Sequence, residues 1–205
     1  MRLFVLGATG KTGTAIVSQA LERGHSVTTF GRREFDGKAE KLTNRTGDVL
    51  NVEQLAAALT GHDAVLYTLG SRGLGRTTLR GDSIRATLEA MRRSGVRRLI
   101  VLSSSLAEPS GWITRFAART ILRHHSLDQI VMERLVMASD TEWTIVRPSE
   151  MTNGSLTGRY RATTGPSPKD DRMVSRRDVA HLMLFLAEHG DHVREIVWMR
   201  GGFAR

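Results

Sequence analysis

The chain has 205 residues, 40% hydrophobic and 25% charged, and no cysteine, which excludes disulfides, thiolate nucleophiles, Cys-type zinc sites and iron–sulfur clusters. A chain of this size buries roughly 70% of its unfolded surface and needs no covalent staple. Basic residues outnumber acidic ones, 30 against 21, for a formal charge of +9, and lysine stands only at 11, 38, 41 and 169, so the excess is arginine and raises the question of a phosphate-bearing partner.

Apolar runs and helical spacings alternate along the chain. Leu3-Phe4-Val5-Leu6 reads as a first strand, Thr12 to Arg23 as a helix with apolar Ile16, Val17, Ala20 and Leu21, and Val27-Thr28-Thr29-Phe30 as a second strand. Thr43 to Val49 forms a third strand, Val52 to Leu59 a short helix, and Asp63 to Leu69 a fourth strand apolar on both faces. A helix from Asp82 to Ser94 stops at Gly95, and Arg98 to Ser103 is a fifth strand. Thr114 to Met137 is helical, Trp143 to Val146 a sixth strand, Arg177 to Glu188 a helix, and Glu195 to Met199 a last strand. Continuous rather than alternating apolar runs mean a parallel sheet covered on both faces, an α/β fold of the doubly wound Rossmann type. No repeat or linker divides it, so residues 1–205 are expected to form a single domain. No apolar run reaches the ~20 residues of a membrane span, and Met1–Leu6 gives way to Gly-Ala-Thr-Gly too early for a signal peptide, so a cytoplasmic location is expected.

The first turn, Gly7-Ala8-Thr9-Gly10-Lys11-Thr12-Gly13, follows a strand and opens a helix. Glycines at this spacing permit a tight turn, close backbone approach to a pyrophosphate and tight helix–strand packing, with the helix N-terminus supplying donors. At the end of the second strand an acid would bind a ribose 2′-hydroxyl, but the chain reads Phe30-Gly31-Arg32-Arg33. Paired guanidiniums suit a 2′-phosphate, so NADP(H) is expected over NAD(H). Asp48 and Val49 close strand three, where the carboxylate either accepts from an adenine amino group or caps the helix near Val52. Leu69-Gly70-Ser71-Arg72 ends strand four, where a small residue lets the backbone pass close to the cofactor.

Gly7-Ala8-Thr9-Gly10-x-Thr12-Gly13, Gly47-Asp48-Val49, Ser103-Ser104-Ser105, Trp143-Thr144-Ile145-Val146-Arg147-Pro148 and Ser175-Arg176-Arg177-Asp178-Val179-Ala180 together resemble the atypical short-chain dehydrogenases with NmrA-like NAD(P)-binding domains. Leu156-Thr157-Gly158-x-Tyr160 followed by Val174-Ser175-x-x-Asp178-Val179-Ala180-His181 is similar to the biliverdin-IXβ reductase/flavin reductase group. The resemblance implies NADPH binding and reduction of flavins or linear tetrapyrroles. It puts Gly7, Thr9, Gly10, Lys11, Thr12, Gly13 and Arg32 at the cofactor, where Ser103 and Pro148 are also expected, and an active-site serine at Ser105, with Ser104 the second choice. Where the biliverdin reductase branch has a histidine, this chain has Glu150, whose charge opposes a propionate-bearing substrate.

Short-chain dehydrogenases that act on carbonyls use a Tyr-x-x-x-Lys pair, and this chain has none: its only tyrosines are Tyr67 and Tyr160. Counting back eight and four residues from Glu133 gives His125 and Gln129. His125 is then either a proton donor or part of a polar helix face. Without a positioned acid, carbonyl reduction loses roughly 100- to 10,000-fold in rate, whereas a flavin or quinone delocalises charge and takes its proton from water. The substrate segments are expected at about 104–126 and 149–173, with Glu150, Met151, Trp112 and Tyr160 lining the substrate and Phe116 in the same lid. Met132, Met137 and Met151 either line a flat pocket or fill core. Arg159 and Arg161 suit an anionic acceptor or a solvated loop. No spacing supports a metal site, and no helix-turn-helix, RNP or zinc signature supports nucleic acid. Two functions are open, an NADPH-dependent reductase of a flavin, quinone or similar small-molecule acceptor, and a non-catalytic NADP(H)-binding redox sensor; the chain is expected to be a monomer or homodimer.

Overall fold

The computed structural model describes residues 1–70, 77–105, 123–166 and 172–202, with backbone only at 123–126. In chain order it holds β1 (Arg2–Leu6), α1 (Lys11–Glu22), β2 (Ser26–Gly31), β3 (Leu42–Thr46), α2 (Val52–Leu59), β4 (Ala64–Tyr67), α3 (Leu79–Ser94) and β5 (Arg98–Leu102). These are followed by α4 (Arg123–Met137), β6 (Glu142–Pro148), β7 (Met151–Thr152), β8 (Tyr160–Thr163), β9 (Val174–Ser175), α5 (Arg176–His189) and β10 (Glu195–Gly201).

Eight strands form one sheet in the order β3-β2-β1-β4-β5-β6-β10-β8. All pair in parallel except β8, which runs antiparallel to β10 with Tyr160 opposite Gly201. The path leaves β1 toward β3 and restarts at β4 in the other direction, so the carboxyl ends of β1 and β4 flank the switch point where open α/β sheets bind ligands. Alternate residues of the central strands feed two cores. Leu3, Val5, Leu66 and Ile100 pack under α1 and α5, while Phe4, Leu6, Val65, Tyr67, Leu99 and Val101 pack under α2, α3 and α4. Burial on both sides is why these runs are continuously apolar.

Several expectations are corrected at their edges. The third strand stops at Thr46 rather than Val49, because its polar residues form a sheet edge. Of the helix expected over Thr114–Met137, residues 123–137 are helical, and the rest lies outside the described residues. Helix α2 is capped by Asn51, whose side chain accepts from the Gln54 N–H, which removes the reading of Asp48 as that cap. Strands β7, β8 and β9 were not expected at all.

Two buried carboxylates fasten the loops. Asp128 on α4 accepts from the Arg80 and Gly81 N–H groups at 3.1 and 3.0 Å, capping α3 from across the layer. Asp178, in the first turn of α5 and 2% exposed, takes the Thr157 and Gly158 N–H groups at 2.8 and 2.9 Å and the Thr157 and Ser175 hydroxyls at 2.8 and 2.9 Å. The two motifs Leu156-Thr157-Gly158 and Ser175-x-x-Asp178 are therefore one contact, which ties the segment after β7 to α5. Replacing Asp178 with Ala removes those bonds, but Thr157 and Gly158 are exposed and regain water, so the expected cost is about 1–2 kcal/mol. Urea unfolding at unchanged m-value measures it, and a loss below about 0.5 kcal/mol contradicts this role.

Candidate functional site

The β1–α1 turn is held by two approaches that leave no room for a side chain. Gly7 has φ +85°, and a Cβ on it would lie 2.7 Å from the Thr68 hydroxyl and 2.8 Å from the Thr68 carbonyl. A Cβ on Gly13 would lie 2.1 Å from the Gly7 carbonyl oxygen, so loop and helix interlock as a glycine-dependent unit. Gly10 is the N-cap of α1 and offers no side-chain acceptor, and the first turn carries no acid. Each other helix with a described N-cap has an acid in its first turn, Glu53, Asp82 or Asp178. The positive end of α1 is thus left for an external anion.

A cleft of about 810 Å³ opens in front of this turn, within the range of small-molecule sites. Gly7, Thr9, Gly10, Arg32, Arg33, Asp48, Val49, Leu69 and Gly70 line it, as the sequence brings them together. Ala8, Thr29, Phe30, Gly31, Phe35, Leu50, Thr68, Thr77 and Leu79 also line it and were missed. Most of these are the next residues along the same strand ends, so the order of the strands was the signal that could have found them. Lys11, Thr12 and Gly13 form the first turn of α1 and are not among the cleft-lining residues, Lys11 exposed and Thr12 buried. Asp48 accepts from the Leu50 N–H through Oδ1 and donates its own N–H to Gln54, which fixes the carboxylate at the rim. Arg32 and Arg33 are exposed and have no carboxylate partner among the described residues. Other arginines are committed: Arg85 to Asp82, Arg92 and Arg93 to Glu89, Arg97 to Glu142 and Arg23 to Glu188.

At the carboxyl end of β5 the three serines differ in what holds them. Glu133, 2% exposed on α4, pairs with the buried Arg147 of β6, accepting from Nη2 at 2.6 Å and Nε at 3.1 Å. The Ser103 hydroxyl donates to Glu133 in a short hydrogen bond and accepts from the Gln129 amide at 2.6 Å. That amide also donates to the Ser104 hydroxyl at 2.9 Å and the Ser104 carbonyl at 3.2 Å, and Ser104 donates back to the Gln129 oxygen. Arg147 lies over the Trp198 ring, 4.8 Å from its centre. Sequence reading named Gln129 and Glu133 by spacing but missed that they support Ser103 and Ser104. An arginine inside the apolar run Trp143–Val146 and Pro148 was the available signal, since a buried guanidinium requires a partner. Ser105 is half-buried, and its hydroxyl makes no side-chain hydrogen bond among the described residues.

Pro148 is buried at the end of β6, opposite Met199 of β10. Glu150 is exposed and receives the Val174 N–H on its carbonyl, and Met151 is half-buried in the β7–β9 pair. Tyr160 lies on β8 at the sheet edge remote from β2, its hydroxyl 2.8 Å from His181 Nδ1, with burial raising its pKa. Met132 is core, whereas Met137 is exposed. Ser71, Arg72, Leu106–Gly111, Trp112 and Phe116 lie outside the described residues, as does the side chain of His125. Among the described residues no cluster of three metal-ligating side chains occurs, and no helix is long and apolar enough to cross a membrane.

Known proteins resemble this chain in sequence and fold. An uncharacterized sugar epimerase of Bacillus subtilis is 26% identical over 194 residues, covering 90% of this chain and 86% of the relative. Among solved structures, a candidate NADH-flavin reductase of Streptococcus pneumoniae superposes with TM-score 0.80 at 24% identity, over 98% of this chain and 99% of that one. A short-chain dehydrogenase/reductase of Veillonella parvula in complex with NADP superposes with TM-score 0.83 at 17% identity, over 97% and 94%. A family model described as NAD(P)H-binding matches residues 7–190, from the first glycine of the turn to the C-cap of α5, and the chain belongs to that NAD(P)H-binding family.

Proposed function

We propose that the protein is an NADPH-dependent reductase that passes hydride to a flavin, quinone or similar conjugated acceptor. The observation that carries the cofactor choice is the pair Arg32–Arg33 on the cleft wall after β2, with no acid paired to them among the described residues and none of the cleft-lining residues at that strand end acidic. The fit of a dinucleotide rests on the uncapped α1 terminus and on the turn that a Cβ at Gly7 or Gly13 would fill. Backbone N–H groups of Thr9, Lys11 and Thr12 would hold the diphosphate, the Gly10 N–H being used inside the turn by the Gly7 carbonyl, with Asp48 at the adenine amino group and the two guanidiniums at the 2′-phosphate.

When bound, the nicotinamide supplies the hydride. The chain's own residues position it. Ser103 and Ser104 are engaged by Glu133 and Gln129, so Ser105 is the serine of the run with a hydroxyl available to anchor the carboxamide or the acceptor. Gln129 stands four residues before Glu133, and its amide is fully used inside the protein. It cannot lower the pKa of a neighbouring acid as a lysine would, which favours acceptors that take their proton from water. The same feature supports the sensor reading, in which NADPH and NADP⁺ are bound but not turned over.

Fluorescence titration is expected to give at least tenfold tighter binding of NADPH than NADH, and equal affinities contradict the cofactor assignment. In anaerobic assays, NADPH absorbance is expected to fall on adding FMN, FAD or menadione. No turnover with any of them, together with unequal affinities for NADPH and NADP⁺, selects the sensor. Ser105→Ala is expected to lower kcat about tenfold, the worth of one positioning hydrogen bond, with NADPH affinity unchanged. Ser104→Ala giving the larger kcat loss would transfer the role to Ser104.

A further inference from the structure

We propose that Asn44 is a specificity-positioning residue: from the outermost parallel strand it fixes the loop that carries Arg32 and Arg33, and so sets discrimination between a 2′-phosphorylated dinucleotide and its unphosphorylated counterpart. The proposal rests on the NADP(H) reading above.

Asn44 sits on β3 opposite Thr29 of β2, in register with Phe30 opposite Arg45 and Gly31 opposite Thr46. Its carboxamide is used at both ends. The oxygen accepts from the buried Thr29 hydroxyl at 2.6 Å, and the nitrogen donates to the Phe35 carbonyl at 3.0 Å. The first bond fixes which way the amide faces, since only its nitrogen is then directed at the loop.

The loop after β2 is thereby tied at two points. Its near end is held where the Gly31 carbonyl accepts from the Gly47 N–H at 3.0 Å. Its far end is held at Phe35 by Asn44, and the Phe35 ring packs against the core on the α1 and α5 side. Only Arg32, Arg33 and Glu34 span these anchors, and all three are exposed. A free loop would have to order its backbone as well as two arginine side chains on meeting a phosphate, at about 1–2 kcal/mol per backbone residue. With both ends fixed, much of that cost is removed before the ligand arrives, the general benefit of preorganisation. The contribution falls mainly on the 2′-phosphate, because the glycine turn, the α1 terminus, Asp48 and the end of β4 are held by contacts that do not involve Asn44.

The ratio of NADH to NADPH dissociation constants isolates this effect, because any general loosening of the cleft moves both constants together. Asn44→Ala removes both bonds and is expected to lower the ratio about three- to tenfold by weakening NADPH while leaving NADH within twofold. Asn44→Thr suits a strand and keeps a hydroxyl beside Thr29 but cannot reach the Phe35 carbonyl; it is expected to do the same and covers the case in which the alanine variant does not fold. In an Arg32→Gln/Arg33→Gln background, Asn44→Thr is expected to change the ratio by less than twofold, since Asn44 acts through those side chains. A wild type that prefers NADPH, with its ratio unchanged in both Asn44 variants, overturns this inference and leaves the cofactor reading standing. So does an Asn44 effect that persists without the arginines. A wild type that does not discriminate overturns the cofactor reading itself, and this inference with it.

Discussion

The cleft depends on how closely β1, β4 and α1 approach one another at the first turn. The Gly7 carbonyl fills the space that a Cβ on Gly13 would need, and Gly7 itself stands against Thr68. The Thr68 N–H and hydroxyl both donate to the Leu6 carbonyl, at 2.9 and 2.8 Å, which ties the end of β4 to the end of β1. With those three elements drawn together, the N-terminus of α1 points out between the two strands at which the sheet order reverses. Any side chain at Gly7 or Gly13 would push the helix away and disperse the donors. The N-termini of α2, α3 and α5 are satisfied within the protein by Asn51, Asp128 and Ser175, although α3 also begins at the cleft with Leu79, so α1 is the helix whose terminus is left to face it.

The carboxyl end of β5 is organised by a different kind of contact. Glu133 and Arg147 are both nearly inaccessible to water, and a pair of this kind adds little net stability compared with apolar residues of the same volume. Its value here lies in direction. A carboxylate held by Arg147 has a lone pair for the Ser103 hydroxyl, which sets the Gln129 amide, which sets Ser104. The backbone that delivers Ser105 is therefore located by a chain of hydrogen bonds running from β6 through α4 to β5. Since each link uses its donors on the protein, none of these groups is left to move a proton.

How far the sequence discloses this can be judged from particular elements. Strands β1, β4 and β5 are readable because burial on both faces leaves unbroken apolar runs, and α3 because Gly95 in the left-handed conformation ends it. Strand β8 is not readable, as Tyr160–Thr163 is a strand of mixed polarity whose neighbour among the described residues, β10, is far along the chain. Strands β7 and β9 are two residues each and exist through mutual pairing. At the site, glycine spacing marks the turn, since backbone geometry restricts that position to one residue type. Asn44, Asp128 and Asp178 have no such mark. A polar side chain on an edge strand or in a helix's first turn is ordinary, and only the fold shows which loop it holds.

The excess of positive charge divides along the same line. Arginines on α3 and around the amino ends of the strands meet carboxylates from neighbouring turns, and exposed pairs of this sort contribute little to stability. Arg98 is buried with no carboxylate partner among the described residues and donates to the Glu142, Leu186 and Asp191 carbonyls, collecting the end of α5 onto the sheet. These arginines are consumed by the fold. Arg32 and Arg33 are placed differently: they stand beyond a tethered strand end, beside a helix terminus that carries its own partial positive charge, with solvent as their present partner. Two guanidiniums and an uncapped dipole facing one cleft repel one another until an anion enters it. The field at that point is therefore a property of the site rather than of the net charge, and the same nine units of excess spread evenly over the surface would not produce it.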